Sequence, residues 1–269
     1  VLYLSTKSSS GQLLNGDMKS DILYDLRNYI SYEDDKTVEY ITISIPSVVL
    51  VNSNYIINQY NNILNIDYGT YVFPYGNYTA RTFIDIFPTI VIGYSLAINP
   101  ITSRFKITKT GGGGFNIYPS SIDYIMGFSG FIECDGFYEF TRVCNFLPNA
   151  SYQICVANGS MYNGLVLGVD GQVSYSNVLC SIPNDSKLNT QIVYQNANNE
   201  FRLNSLSCDV LNIQIRDNGG NLVDFNGIAT FMSLQINIFR KNLKYVGGFS
   251  DILGEAVSSA FETETKNNQ

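Results

Sequence analysis

The chain has 269 residues, of which 45% are hydrophobic, 13% aromatic and only 14% charged, with a formal net charge of −7 and no His. That length suits one large or two modest domains with a sizeable core. The acidic balance leaves no basic footprint for non-specific nucleic-acid binding. The missing imidazole removes the commonest general base and metal ligand, and with it most hydrolase constellations, His-based metal sites and the metal site of cupin-type β folds.

So few charges leave a surface of Asn, Ser, Thr, Gln and Tyr, which suits extensive contact with other protein because little charge must be desolvated. The same composition is also what A+T-rich codons produce. The cysteines stand singly at Cys134, Cys144, Cys155, Cys180 and Cys208. No C-x-x-C pair points to zinc or redox chemistry, and the odd count favours buried free thiols in a reducing compartment. Val1-Leu2-Tyr3-Leu4 is too short for a signal-peptide core and lacks a basic flank. No apolar run reaches membrane-spanning length.

In chain order, residues 5–20 are polar and turn-rich, and residues 1–20 are expected to be an arm without a core of its own. Residues 22–30 have strand character. Residues 37–52 alternate well: Tyr40, Thr42 and Ser44 face one way, and Ile41, Ile43 and Ile45 the other. Pro46 interrupts that run, which implies an edge, a bulge or two strands joined by a bend. Short apolar runs punctuated by Asn over 52–66 read as a hairpin, and residues 71–73 as another short strand.

Thr79 is a fitting N-cap for a helix carrying Phe83, Ile86, Phe87, Ile90 and Val91, which Pro88 should bend or end. Residues 104–109 form a strand with Phe105 and Ile107 inward. Gly111 to Gly114 reads as a hairpin loop: a phosphate-binding loop needs Gly-Lys-Ser/Thr opening a helix, whereas here a strand follows. Residues 120–128 predict a short helix ending at Gly127. Short strands are expected near 137–140, 152–156, 165–169, 173–180 and 190–194.

Residues 209–240 read as a closing β-meander. Leu211, Ile213 and Ile215 alternate with Asn212, Gln214 and Arg216, and Met232, Leu234, Ile236 and Ile238 with Ser233, Gln235 and Asn237. Asn218-Gly219-Gly220-Asn221 and Asn226-Gly227 supply residues that accept positive φ. Past Gly247-Gly248, the residues Ile252, Leu253, Ala256, Val257, Ala260 and Phe261 lie on one face of an amphipathic helix pattern, suited to docking on a partner or on the chain's own domain. Short strands at this spacing predict an all-β sandwich or barrel.

Chemistry-bearing residues are scattered. The carboxylates of Glu33-Asp34-Asp35, Asp123, Glu133, Asp135, Asp185, Asp209 and Asp217 have no pairing in the sequence that would serve a glycosidase, and no Trp is present. No His can activate a Cys nucleophile. Sequons at Asn77, Asn149, Asn158 and Asn184 are ordinary in an Asn-rich chain. No catalytic, cofactor-binding or metal-binding residue, and no cofactor, is expected.

Several pieces in order resemble a known family. They are Asn-Gly-Asp-Met-Lys-Ser-Asp at 15–21, Tyr-Ile-Thr-Ile-Ser-Ile-Pro at 40–46, Val-Asn-Ser-Asn-Tyr-Ile-Ile-Asn-Gln-Tyr-Asn-Asn-Ile-Leu at 51–64, Gly-Asn-Tyr-Thr at 76–79, Ile-Asp-Tyr-Ile-Met-Gly-Phe at 122–128, Leu-Cys-Ser-Ile-Pro-Asn at 179–184, and Ile-Arg-Asp-Asn-Gly-Gly-Asn-Leu-Val-Asp-Phe-Asn-Gly at 215–227. Together they make most of residues 15–240 similar to the penton (vertex, or minor capsid) proteins of virophages, polinton-like viruses and related large DNA viruses. The resemblance implies an antiparallel jelly-roll β-sandwich with elaborated loops or a small inserted β subdomain and one or two short helices. The expected division is an arm at 1–20, a jelly-roll penton domain at 21–246 with the insert at 130–189, and a tail at 247–269. It also implies a non-enzymatic structural protein of the virion, assembled in the host cytoplasm or a viral factory. Its expected partners are itself, as a homopentamer at five-fold vertices, the double jelly-roll major capsid protein, and internal minor capsid proteins through the C-terminal tail. The alternative is a receptor- or carbohydrate-binding β-sandwich, such as a fibre head or lectin-like module.

Overall fold

Antiparallel pairing dominates the computed structural model, which describes residues 2–5, 11–15, 18–27, 37–157, 164–167, 173–195, 200–203 and 208–241. The first strands are β1 (Leu2–Ser5), β2 (Gly11–Leu13), β3 (Asp21–Asp25) and β4 (Val38–Val51). Then come β5 (Ile63–Ile66), β6 (Gly69–Val72), helix α1 (Ala80–Ile90), β7 (Tyr94–Ile98), β8 (Phe105–Lys109), β9 (Gly114–Tyr118), helix α2 (Asp123–Met126), β10 (Ile132–Asp135) and β11 (Phe137–Glu139). The last set is β12 (Ser151–Val156), β13 (Gly164–Leu167), β14 (Val173–Ser176), β15 (Val178–Pro183), β16 (Gln191–Gln195), β17 (Phe201–Arg202), β18 (Val210–Arg216) and β19 (Phe231–Arg240).

The outer two sets interleave. One sheet runs β1-β19-β4-β16, with β17 also on β4, and another runs β15-β12-β18-β3-β2. Without the accessory β2 and β17, the order 1-19-4-16 against 3-18-12-15 is that of an eight-stranded jelly roll. Each sheet draws strands from both ends of the chain, so neither can form until distant segments meet. Between the sheets lie Ile41, Ile43, Ile45, Val48 and Leu50 from β4, and Tyr24, Ile154, Leu211, Ile213 and Ile215 from the facing sheet.

β4 shows how sequence parity becomes geometry. Before Pro46 the odd-numbered isoleucines point inward; after it Val48 and Leu50 do. Ser44 pairs with Gln235 and Ser47 with Ser233, so β4 holds one extra residue there: a bulge that reverses its phase. On its other edge, β4 passes from pairing with β17 at Thr42–Ile43 to pairing with β16 at Ser47–Val51. A residue without an N–H therefore sits where no ladder partner needs one.

The middle set, β5 to β11, forms a separate seven-stranded sheet, β6-β5-β9-β10-β11-β8-β7, with its own core. Helix α1 covers that core with Phe83 and Phe87. Thr79 caps it as expected, in a reciprocal box with Thr82, and Pro88 lies in its last turn, so the helix ends soon after. Gly127, at φ 89°, closes α2, and an added Cβ there would sit 2.4 Å from the Arg142 carbonyl oxygen.

Four expectations change. The residues expected to form an arm supply β1 to β19 and β2 to β3, pairings made by strands far away in sequence and invisible in a local pattern. Gly11 matters here, since a Cβ would fall 2.5 Å from Ile22 Cγ2 on β3. The separate core lies at residues 56–146 rather than 130–189, because β12 and β15 are integral to the roll; only the β13–β14 hairpin stands apart there. Residues 209–240 are not a meander. β18 and β19 lie in opposite sheets, the first turn is followed only by an isolated Arg216–Leu222 bridge rather than a strand pair, and the chain then crosses over the core with Val223 and Phe225 buried. Lastly, the glycine run joins β8 to β9, which are separated by β10 and β11, so it is a crossing loop and not a hairpin. The 247–269 tail lies outside the described residues.

Candidate functional site

Among the described residues, no three His, Cys, Asp or Glu side chains gather as a metal site. Glu33-Asp34-Asp35 and the sequon Asn158 lie outside the described residues. Asp123 sits in the first turn of α2, and Glu133 and Asp135 point outward from β10. Asp185 lies between β15 and β16, and Asp209 precedes β18. Asp217 is consumed by its own turn, accepting from Gly219 N–H at 2.8 Å and Asn221 N–H at 2.9 Å. Among the described residues, none of these carboxylates is brought together with another as a pair.

The five thiols are free. Burial pushes Cys134 and Cys208 up to about 11 and Cys180 up to about 12, with the neighbouring Asp67, Asp209 and Cys155 adding to it. A thiol so disposed is a packing residue, since the thiolate is the nucleophile. Two sequon amides have internal work: Asn77 Oδ1 accepts Ile56 N–H at 3.0 Å, and Asn184 Nδ2 donates to the Asn149 carbonyl at 2.7 Å.

One polar cluster escaped the sequence reading. Asp67, at φ 48° in the β5–β6 turn, accepts from Asn116 N–H and Lys109 Nζ, each at 2.9 Å, and from the Tyr94 hydroxyl. Burial alone would raise its pKa, but the hydrogen bonds from Tyr94, Asn116 and Lys109 outweigh that and hold the carboxyl below its ordinary value. Burial, then the Asp67 charge, push the Tyr94 phenol well above its ordinary range. Lys109 also reaches the Gly114 carbonyl at 3.1 Å. The cluster ties a hairpin turn to β7, β8 and β9, which is a structural task. The partners of Asp67 come from strands remote in sequence, which no local pattern discloses.

A second polar group lies where the insert leaves and rejoins the roll. Asn52, Ser53 and Asn54 are all buried. The buried Tyr152 hydroxyl lies 2.8 Å from Asn52 Oδ1 and also reaches Asn54 Oδ1. Asn52 Nδ2 donates to the Ser186 carbonyl at 3.0 Å, and Ser53 Oγ to the Phe225 carbonyl at 2.7 Å. The outgoing strand β4 is thereby fastened to the returning strand β12.

The surface is the remaining candidate. The seven-stranded sheet packs one face on its own core and leaves the other open, with Val72, Tyr118 and Phe137 pointing out of it. Phe131 lies against Tyr118 with centroids 5.4 Å apart, and Lys106 Nζ sits 3.9 Å over the Phe137 ring. Elsewhere on the insert Ile92, Ile101 and Leu147 are 77%, 91% and 76% exposed. On the roll, strand register sets Phe231, Val49 and Val193 in one row across β19, β4 and β16, with Phe231 and Val193 exposed. Side chains of this kind, in a chain with so little charge, suit contact with protein.

No protein-family model and no curated protein matches the chain. Among solved structures it is similar to a crystal structure of the mavirus penton protein, at 12% identity and a TM-score of 0.44, over 88% of this chain and 98% of that one. It is also similar to a chain of the Sputnik virophage structure determined by cryo-EM, at 10% identity and a TM-score of 0.42, over 90% of this chain and 98% of that one. The jelly roll itself is read from this chain's own strand order.

Proposed function

We propose that this protein is a structural, non-enzymatic subunit of an icosahedral virus capsid. Five copies form the ring at each five-fold vertex and contact the double jelly-roll major capsid protein around it. The observation that carries this reading is a jelly roll with large apolar side chains on its outer surface and on its insert, set among few charges. A heterologous contact repeats around a ring until rotation closes it, and the centre of such a contact is poor in charge. The ordered pieces between residues 15 and 240 that resemble penton proteins point the same way. In this reading the protein resides in the virion, having been assembled in the host cytoplasm or a viral factory. The tail at 247–269 would reach internal minor capsid proteins.

Light scattering on the purified chain, followed by negative-stain imaging, tests the ring. Pentamers or larger five-fold assemblies are the expected result. A monodisperse, thermally stable monomer at high concentration would count against it.

A further inference from the structure

We propose that the cleft between the jelly roll and the insert binds a neutral saccharide. One wall comes from the start of the insert, at residues 54–55 and 58–60, and from Tyr75; the other comes from the roll side, at Asn149, Asp217 and residues 222–224, where the chain crosses between sheets. The hollow opens to solvent, so a sugar ring would lie across its mouth against the exposed tyrosines rather than be enclosed.

The lining chemistry selects the ligand. Tyr55, Tyr60 and Tyr75 are exposed, and no hydrogen bond to a described residue occupies their hydroxyls. Their rings offer flat apolar faces for the C–H side of a pyranose, and their hydroxyls can donate to or accept from sugar hydroxyls. Gln59 makes only a long contact, 4.0 Å from Nε2 to Met18 Sδ, so its amide can exchange that contact for a ligand. Asp224 Oδ1 accepts Asn226 N–H at 2.8 Å, which leaves the other oxygen to accept from a hydroxyl. Asn58 is committed internally, to Tyr60 N–H and the Tyr55 carbonyl, and holds two of the tyrosines in place.

Charge excludes the other common ligands. No Lys or Arg lines the cleft, while Asp217 and Asp224 do. A phosphate, a sulfate or a sialic-acid carboxylate would face those carboxylates uncompensated. An apolar peptide side chain laid there would leave the tyrosine hydroxyls and the second Asp224 oxygen without partners. A neutral, hydroxyl-rich ring fits both constraints, and by touching both walls it would clamp the insert to the roll.

The test is a panel of neutral hexose, fucose and N-acetylhexosamine oligosaccharides, with sialylated and sulfated ones as the counter-panel, followed by titration calorimetry on any hit. We expect neutral members to bind. Tyr60→Ala and Tyr75→Ala should each weaken binding at least tenfold, with the thermal transition unchanged because both rings are exposed. Retention of charged members only, no neutral binding at millimolar ligand, or full binding by both variants would overturn the proposal. So would a preference for amines over sugars in a competition arm. Ring formation is read separately by light scattering, so either result can fail without the other.

Discussion

The roll and the insert solve the same problem, burying one face of a sheet, in different ways. The roll pairs the first described strand with the last, β1 with β19, and buries its core between two sheets built from remote segments. The insert is continuous in sequence, and helices α1 and α2 with several loops cover one face of its single sheet. Its interior is a cluster of rings: Phe83 lies 4.8 Å from Phe73, 5.2 Å from Phe146 and 6.0 Å from Phe105, centroid to centroid. Its other face and its loops carry most of the exposed large apolar side chains among the described residues. A locally closed core frees a surface for other uses, whereas a roll closed by its own termini leaves less of its chain to vary.

The largest test of that contrast is Phe83→Ala. Removing the ring at the centre of the cluster should cost the insert about 3–5 kcal/mol. Calorimetry should show an early transition falling while that of the roll stays in place; a single transition moving as a whole would show that the two cores melt as one. Next is Asp67→Ala, which orphans the Tyr94, Lys109 and Asn116 donors and should cost about 1–3 kcal/mol in the same transition. Its pH dependence has a definite sign. Because the folded carboxyl titrates below its ordinary value of 3.8, the stability it contributes is complete above that value and is lost as pH falls through the lowered one. The gap between wild type and Asp67→Asn should therefore narrow on acidification from pH 5 toward 2. A constant gap would remove the carboxylate from the account.

Tyr152→Phe probes the junction and should cost about 1–2 kcal/mol, since it strips a buried hydroxyl from Asn52 and Asn54. Here both transitions should move, because β4 and β12 bound the insert. The smallest effect is expected from Thr79→Ala, about 1 kcal/mol from the lost cap of α1, confined to the insert. Chemical denaturation followed by far-ultraviolet circular dichroism resolves a change of that size.

What the sequence disclosed was local. Strand parity in β4, β18 and β19, the Thr79 cap and the Gly127 stop all depend on neighbours within a few residues, and each was legible. What it withheld was pairing at a distance. Leu2–Ser5 is unremarkable until β19 lies beside it, and the alternation of β18 and β19 says which face is apolar but not which sheet each strand joins. The insert was misplaced for the same reason: the short strands of 151–183 look irregular alone and become roll strands only against β18 and each other. The surface row of Phe231, Val49 and Val193 required strand register, which no local pattern supplies.

The meeting of Asn52 with Tyr152 carries one consequence beyond stability. Since the segment between them departs and returns through neighbouring points, it behaves as a cassette. Foreign sequence of very different length could be spliced there without altering the barrel's winding. Evolution can therefore redecorate the exposed side of the molecule while the roll beneath it stays the same.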